Sequence, residues 1–133
     1  MIKATATEFL SRVSDTVYSE ITIEADLTGI HKLSNFLRQQ DVSQAGFFDV
    51  GLTSDGEAVA LTSVRVIKTG KKLACKKRGH CLEISGDADS LNWFAEYVAD
   101  LAADQGFDHV HIEHYEGHPH LDVSHTSLVL SEI

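Results

Sequence analysis

At 133 residues the chain suits one domain with one core, and its 43% hydrophobic content can fill that core without disulfides or metal. Its formal net charge of −9 argues against a nucleic-acid partner, because phosphate binding draws on a surplus of Lys and Arg. No apolar run reaches the length of a bilayer span, and MIKATATEFLSRV lacks a basic start followed by a long apolar block. The expectation is a cytoplasmic protein with no membrane partner.

The predicted elements begin with ATATEFLSRV, a strand or a short helix, which we read as a strand. It forms a hairpin around Ser14-Asp15 with SDTVYSEITIEA, where Val17, Ile21 and Ile23 alternate with polar residues. Asp26 is the expected N-cap of a helix over roughly 27–40, whose Ile30, Leu33, Phe36 and Leu37 make one apolar stripe. DVSQAG breaks that pattern. FFDVGLT reads as a strand, SDGE as a turn, and AVALTSVRVIKT as a long or bulged strand.

Thr69-Gly70-Lys71 turns the chain into KKLACKKR, and HCLEIS is the next strand. Asp87 or Asp89 caps a second helix with the stripe Leu91, Phe94, Tyr97, Val98, Leu101 and Ala102, and Gly106 ends it. DHVHIEHY and HPHLDV are expected to form a hairpin across Glu116-Gly117, before TSLVLSEI closes the chain.

Two stretches carry the same pattern. Ile21, Ile23, Asp26, Ile30, Leu33, Phe36 and Leu37 align with Leu82, Ile84, Asp87, Leu91, Phe94, Tyr97 and Val98. Gly46-Phe47 aligns with Gly106-Phe107, Val50 and Leu52 with Val110 and Ile112, and the run from Thr62 to Val66 with that from Thr126 to Leu130. These spacings predict a duplicated β-α-β-β unit, over about 16–68 and 80–131, within one domain of residues 1–133. The fold expected is α+β: a single antiparallel sheet with two helices packed on one face, and a polar opposite face.

Charge is unevenly spread. Residues 65–78 carry seven basic and no acidic side chains, whereas residues 79–133 carry eleven acidic and no Lys or Arg. Such a division can steer a basic partner toward the acidic half, although it also serves solubility. Cys75 and Cys81 flank KKRGH at a spacing foreign to zinc knuckles, and in a reducing cytoplasm both are expected as free thiols.

In the expected hairpin, His109, His111 and Glu113 share the outer face with His118, His120 and Asp122. Cross-strand neighbours lie about 5 Å apart at Cβ. Imidazole and carboxylate there suit one divalent cation, so a metal site or metalloenzyme built on His109, His111, His118 and His120 is a second reading. The first is a face of switchable charge that calls for no cofactor, with zinc or nickel binding only adventitiously. No G-x-S-x-G, P-loop or H-E-x-x-H spacing occurs, and no catalytic residue is assigned.

Leu82-Glu83-Ile84-Ser85-Gly86-Asp87, Ser90-Leu91, His109-Val110-His111 and Ser127-Leu128-Val129-Leu130 give residues 80–133 a pattern that resembles the bacterial Immunity protein 32 family. The first copy departs from it, with Asp49-Val50-Gly51 where the second has His-Val-His. The resemblance implies a small α+β protein that neutralises a toxin by binding it, without catalysis. A cognate toxin, if basic, would meet Asp100, Asp104, Asp108, Glu113, Glu116 and Asp122, with Trp93 or Tyr115 as anchor. A third reading is a homodimer or larger oligomer built on edge strands or basic-to-acidic contacts.

Overall fold

The computed structural model describes residues 1–10, 17–49, 58–103 and 108–133. Among these residues the order is β1 (Ile2–Leu10), β2 (Val17–Ala25), α1 (Leu27–Arg38), β3 (Val42–Gln44), β4 (Ala58–Leu61), β5 (Ser63–Lys68), β6 (Ala74–Arg78), β7 (Cys81–Gly86), α2 (Ala88–Ala103), β8 (His109–Ile112) and β9 (Ser127–Glu132).

Both helices start as their sequences dictate. Asp26 is extended and its carboxylate accepts the Gly29 N–H at 2.8 Å. Asp87 does the same for Ser90 at 2.7 Å, so Asp87 rather than Asp89 is the cap of α2. Each carboxylate satisfies a backbone donor that the first helical turn leaves without a partner. The expected stripes are buried: Ile30, Leu33, Phe36 and Leu37 on α1, and Leu91, Phe94 and Val98 on α2. Trp93, Tyr97 and Leu101 are partly buried at the margin of the core. The helices lie against each other, and the buried Ser34 hydroxyl donates to the Ala95 carbonyl at 2.9 Å. The expected stop at Gly106 lies outside the described residues.

The expectation of a single antiparallel sheet is corrected. The described strands form two sheets, ordered β4-β1-β2-β9-β8 and β3-β5-β7-β6. The pairings β2·β9 and β5·β7 are parallel, and the others are antiparallel. The cause lies at Thr62. AVALTSVRVIKT is broken there, where the N–H groups of Thr62 and Ser63 both turn to the His80 carbonyl, at 2.8 and 3.3 Å. Ala58–Leu61 therefore pairs with β1, and Ser63–Lys68 crosses to pair with β7. Period-two alternation reports which face a side chain takes, not which sheet its strand joins.

Each sheet consequently takes strands from both halves of the chain. Ile21 lies opposite Leu128 and Ile23 opposite Leu130, while Leu82 lies opposite Val64 and Ile84 opposite Val66. β1 flanks β2 as β6 flanks β7, with Ala4 opposite Ile23 and Cys75 opposite Ile84. β3 pairs with β5 where β8 pairs with β9, Val42 facing Val66 and Val110 facing Leu130. The DVSQAG stretch, expected only to break a pattern, thus supplies a short strand. FFDVGLT, expected as a strand, is not one over Phe47–Asp49, and its remaining residues lie outside the described set. Phe47 and Phe48 instead bury their rings, Phe47 lying 5.1 Å from Phe36 and 5.0 Å from Phe48.

One hydrophobic core runs from Ile2 to Leu130, filled by the inward residues of both sheets and the stripes of both helices. The β6–β7 hairpin turns at Gly79, at φ +63°. Cys75 faces Ile84 and Cys81 faces Arg78, so the thiols are not cross-strand partners, and both are free. Burial pushes the Cys75 thiol far above its ordinary range.

Candidate functional site

The expected histidine hairpin does not form. β8 pairs with β9, His109 opposite Ser131 and His111 opposite Val129. Residues 113–126 run between them without helix or ladder strand, touching the residue before β6 through a bridge from Leu121 to Leu73. The turn at Glu116-Gly117 is present, closed by His118 N–H donating to the Tyr115 carbonyl at 3.0 Å, with Gly117 at φ +83°. Only a residue without Cβ takes that φ without strain. The turn serves this irregular segment rather than a strand pair.

The four histidines are accordingly divided. His109 and His111 are half-exposed on β8 with rings 5.3 Å apart, and their Nδ1 atoms lie 3.3 Å from Asp108 and 3.5 Å from Glu113. His118, expected on an outer face, is buried, with 8% of its surface exposed. His120 is stacked on Trp93, with ring centroids 5.0 Å apart and planes 16° from parallel. Among the described residues no three His, Cys, Asp or Glu side chains are placed to share a metal ion.

Two imidazoles instead hold the irregular segment in place. His118 Nδ1 accepts the N–H groups of His120 and Leu121, each at 3.0 Å. His125, equally buried, accepts the Cys75 N–H on Nδ1 at 3.0 Å, while its Nε2 lies 2.9 Å from the Ile112 carbonyl. That geometry fixes the neutral tautomer with the proton on Nε2. His125 therefore ties the edge of one sheet, β6, to the edge of the other, β8. Burial lowers the affinity of both rings for a second proton; at His125 the Ile112 carbonyl opposes that effect, and His114 reinforces it.

Both candidate anchors border His118. Trp93 meets it edge-on at 5.5 Å and Tyr115 lies 4.6 Å away, with the Tyr115 residue 61% exposed. Trp93 also packs on Tyr97, 5.6 Å away along the helix. Beneath them the Lys72 ammonium donates to the His118 carbonyl at 2.7 Å.

The candidate carboxylates are placed differently from one another. Asp100 is exposed on α2 and Glu116 at the turn. Asp108 and Glu113 flank β8, and Glu113 accepts the Ser127 hydroxyl at 2.8 Å. Asp104 lies outside the described residues. Asp122 departs from the acidic set. It is held below the ordinary carboxylate range by the Ser124 hydroxyl and N–H, with Lys71 and Lys76 close by.

Two carboxylates overlooked as docking candidates stand beside the aromatic group. Asp89, Trp93, Glu96, Tyr97 and Asp100 recur at three- and four-residue spacing, which places them on one face of α2. Asp89, Glu96 and Asp100 are exposed there. The signal was present in that spacing, but Asp89 reads first as a cap and Glu96 as ordinary solubilising charge. The exposed positions of α1 carry His31, Lys32 and Arg38, and α1 has no carboxylate. The exposed carboxylates of the helix pair thus lie on α2 and its exposed Lys and Arg on α1.

No helix of the described residues is long and apolar enough to cross a membrane. The chain matches no curated protein and no solved structure. Residues 82–133, which include nearly all of β7 together with α2, β8 and β9, match a protein family, Immunity protein 32.

Proposed function

Proceeding from the match of residues 82–133 to Immunity protein 32, we propose that the chain is a non-enzymatic immunity protein that binds and occludes a basic protein toxin. The observation that carries this reading is a coincidence: the matched segment lies within the part of the chain that has no Lys or Arg, and it bears the partly exposed aromatic group. The docking surface is the α2 face with Asp89, Trp93, Glu96 and Asp100, continued by Tyr115 and Glu116. Asp104, Asp108 and Glu113 enlarge the negative field around it. Asp122, set among lysines, is left out. Aromatic side chains ringed by charge are the usual anchors of tight protein interfaces. The same reading takes the two halves as copies of one unit that have exchanged strands.

The test is binding to the toxin encoded beside this gene. Association should slow by about tenfold or more between low and high salt, because an acidic face steers a basic partner. Trp93→Ala should weaken the complex by about 2 kcal/mol or more, the loss expected of an aromatic anchor. Glu96→Lys with Asp100→Lys should slow association further. An association rate indifferent to salt and to both reversals would remove the docking surface from the account.

A further inference from the structure

We infer that residues 113–126 form an acid-released strap, held on the core by the neutral imidazoles of His118 and His125 and freed when both are protonated. As regulation of the docking surface, this rests on the function proposed above; as a device of the fold, it stands on geometry alone.

The two rings act through the same atom. Each uses Nδ1 to accept backbone N–H groups: those of His120 and Leu121 at His118, and that of Cys75 at His125. An imidazolium has two donors and no acceptor. Protonation therefore sets a new N–H against groups that can only donate, in places with little access to water. The strap's other fastenings are the Lys72 ammonium on the His118 carbonyl at 2.7 Å, the Ser127 hydroxyl on Glu113 at 2.8 Å, the buried Leu121 side chain, and three backbone bonds. Leu73 N–H donates to the His120 carbonyl at 2.7 Å, Asp122 N–H to the Leu73 carbonyl at 2.8 Å, and Thr126 N–H to the Cys75 carbonyl at 3.0 Å. All three reach only the strand β6 and the residue before it.

The charged and titratable groups around the rings mostly favour the neutral form. His118 is faced by Lys72, His120 and His114, and by the Tyr115 phenol. His125 is faced by His114 and His118, with Glu113 alone favouring the cation by its charge. Beyond them, His120 lies near Asp87 and Lys72. Both rings bind their proton less readily than the ordinary imidazole value of 6.5, through burial first. Their bonds are thus complete above about pH 6.5 and are lost as pH falls through the lower values of the folded state.

What the strap positions is the aromatic group. It carries Tyr115, the turn with Glu116, and the His120 ring that lies on Trp93. Its release takes those side chains away from α2 while the strand pairings, which do not use the imidazoles, remain. Acid then dismantles the docking surface without unfolding the sheets.

Amide exchange between about pH 7.5 and about pH 5 tests this, with Trp93, the sole tryptophan, as a second reporter. After correction for intrinsic rates, protection at Cys75, His120 and Leu121 should fall about tenfold per pH unit for each proton taken up. Ile23 and Ile84 should hold theirs. His118→Asn and His125→Asn keep an acceptor oxygen near the place of Nδ1 and cannot titrate, so their exchange should be flat with pH. If His125→Asn fails to fold, His118→Asn alone still reads His120 and Leu121. His120→Ala should change Trp93 fluorescence and leave the pH dependence of exchange intact. Three results overturn the proposal: protection at Cys75, His120 and Leu121 that ignores pH; loss in step with Ile23 and Ile84; or a pH dependence that survives in the Asn variants. None of these readings needs the toxin, so failure of the toxin to bind sinks the docking reading and leaves the strap standing.

Discussion

Ser34 shows what a single polar atom does where the two helices meet. Its hydroxyl donates to the Ala95 carbonyl in a fully packed setting, and the aligned caps Asp26 and Asp87 make Ser34 and Ala95 equivalent positions on their helices. Ser34→Ala should cost about 1 kcal/mol, the net worth of one buried hydrogen bond, because Ala95 can still accept from within its own helix. Urea unfolding of the two proteins measures it. A larger loss, accompanied by a changed m-value, would mean that the helices have moved apart. His125 makes the opposite point about legibility. Its ring bonds the backbone of both Cys75 and Ile112 from a buried place, although histidine counts as polar. A pattern scored by hydropathy cannot see that an imidazole with both nitrogens bonded suits a buried site.

At the scale of elements, the helices were legible because their signals are local. A carboxylate before the first turn and apolar residues at three- and four-residue spacing need no knowledge of the rest of the fold. Asp87→Ala should therefore destabilise the protein by about 0.5–2 kcal/mol, and Asp89→Ala by much less, since only Asp87 satisfies a helix donor. Thermal melts of both variants decide between the two caps. The strands were legible as faces but not as partners. HPHLDV alternates as a strand does, yet the real partner of β8 is SLVLSE, which puts Leu130 and Leu128 opposite Val110 and Ile112. The aromatic half of the candidate site was readable from Trp93 and Tyr115, whereas their meeting at His118 depended on a fold that alternation does not specify.

For the molecule as a whole, the division into sheets decides what can stand alone. The segment 82–133 contains most of β7 without its neighbour β5, β9 without its neighbour β2, and α2 without α1. Expressed by itself it should show little regular structure by circular dichroism. Mixed with a fragment of residues 1–79, it should regain the spectrum of the intact chain. A segment 82–133 that folds unaided would mean that β2, β5 and α1 are dispensable to it. Acidic docking and strap release, as proposed, would likewise need the whole fold, since β6 from the basic stretch anchors the strap that carries Tyr115.

The position of β9 bears on biosynthesis. It follows every other described strand along the chain, yet it sits inside its sheet, between β2 and β8. A nascent polypeptide must therefore keep β2 waiting with one edge bare until Ser127–Glu132 has cleared the ribosomal tunnel. Completion of that sheet waits on the synthesis of Ser127–Glu132, and truncation ahead of Ser127 leaves a sticky, chaperone-dependent product.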